Sequence, residues 1–130
     1  MRSQAYRFAL GSLLLAGVQF ATAQTVTASA AAGSAIKGKE IYDARCSACH
    51  SVDDNRVGPK HLGVFGRKAG GVKNYRYSAA LSKSKLIWDH DNLLAWLKNP
   101  EAVIPGQRMG YALDIAEDRS DVVAYLATLK

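Results

Sequence analysis

From position 34 onward the apolar residues recur at helical spacing. Ala35, Gly38, Ile41/Tyr42, Arg45/Cys46 and Cys49 follow Ser34, a good N-cap, and predict one helix running into the Cys46 to His50 segment. Asp89 can cap a second helix with the apolar face Leu93, Trp96 and Leu97, which must stop near Asn99 because Pro100 disfavours helix in the residue before it. Val122, Tyr125, Leu126 and Leu129 fall at i, i+3, i+4 and i+7 behind the acidic residues Glu117, Asp118 and Asp121, which suit a helix N-terminus. No stretch alternates as a strand would and no repeat is visible, while the glycine-rich stretch from Gly58 to Arg76 reads as loop. The expected class is all-α, with the N- and C-terminal helices crossing. Gly38 shares a stripe with Tyr42, and its cost of about 1 kcal/mol in helix propensity makes sense where another helix passes close.

The first 33 residues follow another pattern. Arg2 and Arg7 flank the start of a 13-residue apolar run, Phe8 to Phe20, which is followed by the small-x-small triplet Ala21-Thr22-Ala23. This has the form of a secretory signal peptide over residues 1–23. The run is shorter than the roughly 20 residues of a spanning helix, so cleavage without a remaining membrane span is expected, with export to the periplasm. Residues 24–33, rich in Thr, Ser and Ala, read as a flexible lead-in, and 34–130 as one domain.

Losing Arg2 and Arg7 with the leader leaves 15 basic against 11 acidic residues, a net of +4. No stretch concentrates Lys and Arg with aromatics, which argues against nucleic-acid binding, although a modest basic surface can steer an acidic protein partner. A domain this small has a limited apolar core and gains from a cofactor that serves as part of it.

That cofactor is suggested by Cys46-Ser47-Ala48-Cys49-His50, a C-x-x-C-H sequence that reads as the attachment site of a c-type haem. Thiols three positions apart lie about one helical turn from each other, so both can add to the two vinyl groups on one edge of a porphyrin. His50 is then placed to supply the proximal nitrogen to the iron. Three other readings compete. A zinc half-site needs about four ligands, from a chain with two Cys and three His. A redox dithiol needs a strand-helix setting and a reactive thiolate, and a disulfide across two residues would be strained. Further on, Ile104-Pro105-Gly106-Gln107-Arg108-Met109-Gly110 places a Met between glycines, outside any apolar stripe, where a thioether could reach the other face of the iron.

These residues resemble class I cytochrome c of the mitochondrial and bacterial type. The likeness covers about Ser34 to Lys130 and rests on Gly38 and Tyr42, Cys46 to His50, Val57-Gly58-Pro59, Val64 to Gly70, Tyr75 to Ser78, Trp88, Asn99-Pro100, Ile104 to Gly106 with Met109, and Val122 to Leu126. It implies a cytochrome c fold: crossed terminal helices, with shorter helices and loops, wrapped around one haem c held by Cys46 and Cys49. It further implies His50 and Met109 as axial ligands, His50 donating to the carbonyl of Pro59, and Tyr125 against Gly38. By the same resemblance Arg67, Tyr77 and Trp88 hold a buried propionate. There are departures: the link from His50 to Gly58 is shorter than in mitochondrial members, His61 stands where a core Leu is usual, and Trp96 replaces a Tyr that donates to the Met sulfur in many relatives. Glu101 and Ala102 replace common lysines, while Arg45, Arg56 and Arg108 keep positive charge nearby.

The function this implies is a monomeric one-electron carrier, not an enzyme, passing electrons between a redox protein donor and acceptor of the dehydrogenase, bc1-type complex or terminal oxidase class. The rival readings are a haem enzyme or gas-binding protein with an open distal face, bis-histidine ligation through His61 or His90, and an electron-entry subunit of a larger complex.

Overall fold

The computed structural model describes residues 33–130; the signal peptide expected over 1–23, and all but the last residue of the 24–33 lead-in, lie outside the described residues. Five helices follow in order: α1 Ala35–Arg45, α2 Ala79–Lys83, α3 His90–Lys98, α4 Pro100–Val103 and α5 Ala116–Leu126. Among the described residues the only β pairing is a single antiparallel bridge between Lys68 and Ile87, so the fold is all-α, as expected.

The expected helices form where the pattern put them. Ser34 Oγ accepts from the Lys37 amide at 3.4 Å, and α1 ends as the Cys46 amide bonds back to the Tyr42 carbonyl. Cys49 and His50 then both donate to the Cys46 carbonyl, coiling the motif into a tight turn at the helix end. Asp89 Oδ1 accepts from the Asn92 amide at 2.8 Å and opens α3, whose buried residues are Leu93, Trp96 and Leu97. Helix α5 carries Glu117 and Asp118 in its first turn and buries Val122, Val123 and Leu126.

Helices α1 and α5 cross at Gly38. A Cβ there would lie 1.9 Å from the Asp121 carbonyl oxygen and 2.9 Å from Tyr125 Cβ. Only hydrogen allows that approach. The expected Tyr125 contact is present, but the tightest one is to the backbone of Asp121. The Asp121 side chain, buried at the crossing, accepts from the Ser34 amide at 2.6 Å and so ties the start of one helix to the middle of the other.

Helices α2 and α4 are shorter helices of the kind the resemblance implied, at positions the hydrophobic pattern did not give. At five and four residues they are too short to show a period, yet both carry local start signals. Ser78 Oγ accepts from the Leu81 amide at 3.2 Å, and Asn99 Oδ1 accepts from Ala102 at 3.1 Å with Pro100 at the first helical position.

Candidate haem site

Beneath the α1–α5 crossing lies a cavity of about 850 Å³, within the roughly 300–1,000 Å³ of small-molecule pockets. Its apolar walls include Val64, Leu81, Leu93, Leu97, Val122 and Leu126. Cys46, Cys49, His50 and Met109 all open onto it, as do Pro59, Arg67, Tyr77, Trp88 and Trp96. The thiols, the two expected axial ligands and the expected haem neighbours are thus drawn to one hollow from positions spread between 46 and 109.

His50 is fixed on one side. Its Nδ1 lies 2.8 Å from the Pro59 carbonyl oxygen; since a carbonyl only accepts, Nδ1 carries the proton and Nε2 keeps the lone pair a metal needs. A Cβ at Gly58 would lie 2.1 Å from His50 Cε1, so glycine is required for the loop to cradle the imidazole. Burial lowers the basicity of His50, and the hydrogen bond to Pro59 partly offsets this. A neutral imidazole is the ligating form.

Met109 comes from the loop after α4. Its amide bonds to the Gln107 side chain, and its Sδ receives a hydrogen bond from Trp96 Nε1 at 3.1 Å. The replacement of Tyr by Trp at position 96 therefore keeps a donor on the sulfur. Trp96 in turn packs edge-on against Trp88, their ring centroids 5.0 Å apart.

The thiols lie at the end of α1, Cys46 half-buried and Cys49 exposed. Burial, with Cys49 alongside, pushes the Cys46 thiol up to about 11, the opposite of what a nucleophilic dithiol requires. Among the described residues no group of three or more His, Cys, Asp or Glu side chains is placed to hold a metal ion, which leaves a zinc half-site without its other ligands.

Arg67 has a role that its sequence context did not reveal. Its guanidinium donates to the carbonyls of Leu62 at 2.8 Å and Lys60 at 2.9 Å, bracing the loop that carries His61. Tyr77 Oη accepts from the Val72 amide at 3.3 Å. His61 reaches the cavity on the His50 side, its ring stacked on that imidazole with centroids 4.2 Å apart and planes 18° from parallel. His90 instead sits exposed at the start of α3, paired with Asp91, and does not line the cavity. Exposed arginines, Arg45, Arg76 and Arg108, rim the opening; Arg56 is exposed nearby and donates to the Ser47 carbonyl.

The residues present fit a covalently bound haem. Two thiols one turn apart, an imidazole with its second nitrogen committed to a carbonyl, and a thioether held in place surround one apolar hollow, a constellation that defines a monohaem c-type cytochrome. Comparison with known proteins agrees. The cytochrome c family model matches residues 35–130. Cytochrome c of Euglena viridis is 38% identical over 101 residues, covering 75% of this chain and 99% of that protein. Cytochrome c2 of Rhodomicrobium vannielii is 42% identical over 102 residues, covering 75% and 81%. The structure of cytochrome cH from Methylobacterium extorquens superimposes with a TM-score of 0.71 at 41% identity, covering 74% of this chain and 99% of that one. This chain belongs to the cytochrome c family, whose members bind one covalent haem c and carry electrons to and from redox proteins rather than catalyse reactions as enzymes.

Proposed function

We propose that this protein is an exported, monomeric one-electron carrier whose haem is attached through Cys46 and Cys49 and ligated by His50 and Met109. The observation that carries the reading is the pair of second bonds on the two ligands: His50 Nδ1 to Pro59 at 2.8 Å, and Trp96 Nε1 to Met109 Sδ at 3.1 Å. Each ligand is held by a neighbour that leaves a lone pair for a metal. Bound haem c supplies a one-electron iron couple, and the chain supplies the surroundings of that couple.

With both His50 and Met109 holding it, the iron would have no position left for oxygen or peroxide, and the thioether would favour its reduced state. The low-dielectric walls and the rigid mounting of both side chains would keep the change between the two oxidation states small. Arg67, Tyr77 and Trp88, side by side on the cavity lining, offer a cation and donors to the acidic edge of the macrocycle. Arg45, Arg76 and Arg108 around the opening favour brief docking with an acidic face of a donor or acceptor, such as a dehydrogenase, a bc1-type complex or a terminal oxidase. The leader-like residues 1–23 support delivery to the periplasm, and among the described residues no helix is long and apolar enough to cross a membrane.

Bis-histidine ligation is disfavoured because His61 stacks on the same side as His50 and His90 is away from the cavity. The test is the optical spectrum of the protein matured in a bacterial periplasm. Sharp low-spin ferrous bands, a weak far-red sulfur-to-iron band when oxidised and no response to carbon monoxide are expected. A low-spin spectrum without the sulfur band would reject Met109, and a high-spin spectrum shifted by carbon monoxide would replace the carrier with a gas-binding or catalytic role.

A further inference from the structure

His61 is a polar ring in a place where an aliphatic side chain would pack without cost. Its ring nitrogen Nδ1 is hydrogen-bonded to the Tyr42 hydroxyl at 3.1 Å, and Tyr42 is itself almost wholly buried in α1. An imidazole and a phenol taken out of water need each other as partners, and nothing in the apolar packing alone calls for either. Tyr42 also packs edge-on to the His61 ring, with centroids 5.6 Å apart. The face-to-face contact of His61 is with His50.

The backbone around His61 is held unusually well for a loop. The His61 amide donates to Ser51, the Leu62 amide to Val52 and the Val64 amide to the His61 carbonyl. Arg67 clasps the carbonyls on either side, at Lys60 and Leu62. A ring on so fixed a base, anchored at its own nitrogen, is a rigid flat surface. The imidazole lying against it meets that surface at 18° and cannot turn about its Cβ–Cγ bond without losing the stack and its bond to Pro59.

We propose that His61, anchored by Tyr42, is a positioning residue that fixes the rotational setting of the His50 ring and hence the plane in which Nε2 is presented to the iron. The inference rests on His50 being the proximal ligand. The Pro59 bond sets which nitrogen ligates and holds one edge of the ring; the His61 face adds the plane against which that ring is turned. A leucine at this position fills the space but offers no plane to stack on, whereas a phenylalanine keeps the plane and loses only the hydrogen bond.

The test uses the full chain matured with its haem and compares His61→Leu, His61→Phe and Tyr42→Phe. The readouts are the ferric electron paramagnetic resonance g values and the spread of the haem methyl proton shifts, both of which follow the orientation of the axial ligands. His61→Leu should shift the largest g value and change the methyl spread while the far-red sulfur band persists. His61→Phe should restore most of the native signature, and Tyr42→Phe should move it in the same direction as His61→Leu, by less. Native g values and methyl shifts in His61→Leu, or the same change in His61→Phe as in His61→Leu, would overturn the proposal. If His61→Leu does not accumulate, Tyr42→Phe decides: an unchanged signature overturns the proposal and a shifted one supports it. Failure of the underlying reading shows separately, as native protein that lacks a low-spin ferric signal or as His50→Ala that keeps it.

Discussion

At the scale of single residues, the proposed ligand Met109 has a hydrogen-bond donor on its sulfur. Trp96 Nε1 draws electron density from that sulfur, and with Met109 on the iron this would disfavour the ferric state more than the ferrous. Trp96→Phe should therefore lower the midpoint potential. A hydrogen bond has a net worth of about 1 kcal/mol and a one-electron couple moves about 59 mV per tenfold change, so the fall should be some tens of mV by spectroelectrochemical titration. Met109→Ala should lower it further, abolish the far-red band and let the reduced protein bind carbon monoxide. His61 carries a pH dependence of its own. Burial first, then His50 and Arg67, lower its pKa from 6.5 to about 3, so in that window the unfolded chain takes up a proton that the folded one refuses. Its contribution to stability is complete above about pH 6.5 and is lost as the pH falls towards about 3. Urea midpoints measured between about pH 6.5 and 4 should drop in the native protein, and the slope should be shallower in His61→Phe.

At the scale of elements, the crossing of α1 and α5 is the least tolerant feature. Gly38→Ala drives a methyl into the Asp121 carbonyl, a clash with backbone that no rotamer change relieves. Overpacking of this kind costs about 1–3 kcal/mol, and this site belongs at the upper end. The urea midpoint of the matured protein should fall accordingly, with haem still attached because Cys46 lies about two helical turns beyond Gly38. What was readable in the sequence follows from length and locality. Helices α1, α3 and α5 span two or more turns and show their stripes, and Cys46 to His50 announces its chemistry in five consecutive residues. Helices α2 and α4 are too brief for a period, and only the caps at Ser78 and Asn99 could have marked them. The Tyr42–His61 bond joins positions 19 apart, and the two carbonyls held by Arg67 belong to backbone, so no side-chain pattern records either.

At the scale of the molecule, the core is a shell. The walls of the cavity are core side chains, Val64, Leu81, Leu93, Leu97, Val122 and Leu126 among them, so in a domain this small a macrocycle lying against them supplies much of the apolar contact that holds the helices together. Cys46→Ala with Cys49→Ala should thus retain little haem and, by far-ultraviolet circular dichroism and urea titration, show neither the native helix signal nor a cooperative transition. The crossing at Gly38 also imposes a timetable. Helix α1 finds its partner only in α5, with residues 46–115 intervening, so a chain delivered N-terminus first exposes Cys46 and Cys49 on an unpaired helix until nearly all of it has emerged. The two helices close on a filled core only once a haem is attached beside the first of them, so attachment comes before the crossing and the crossing then fixes what has been attached.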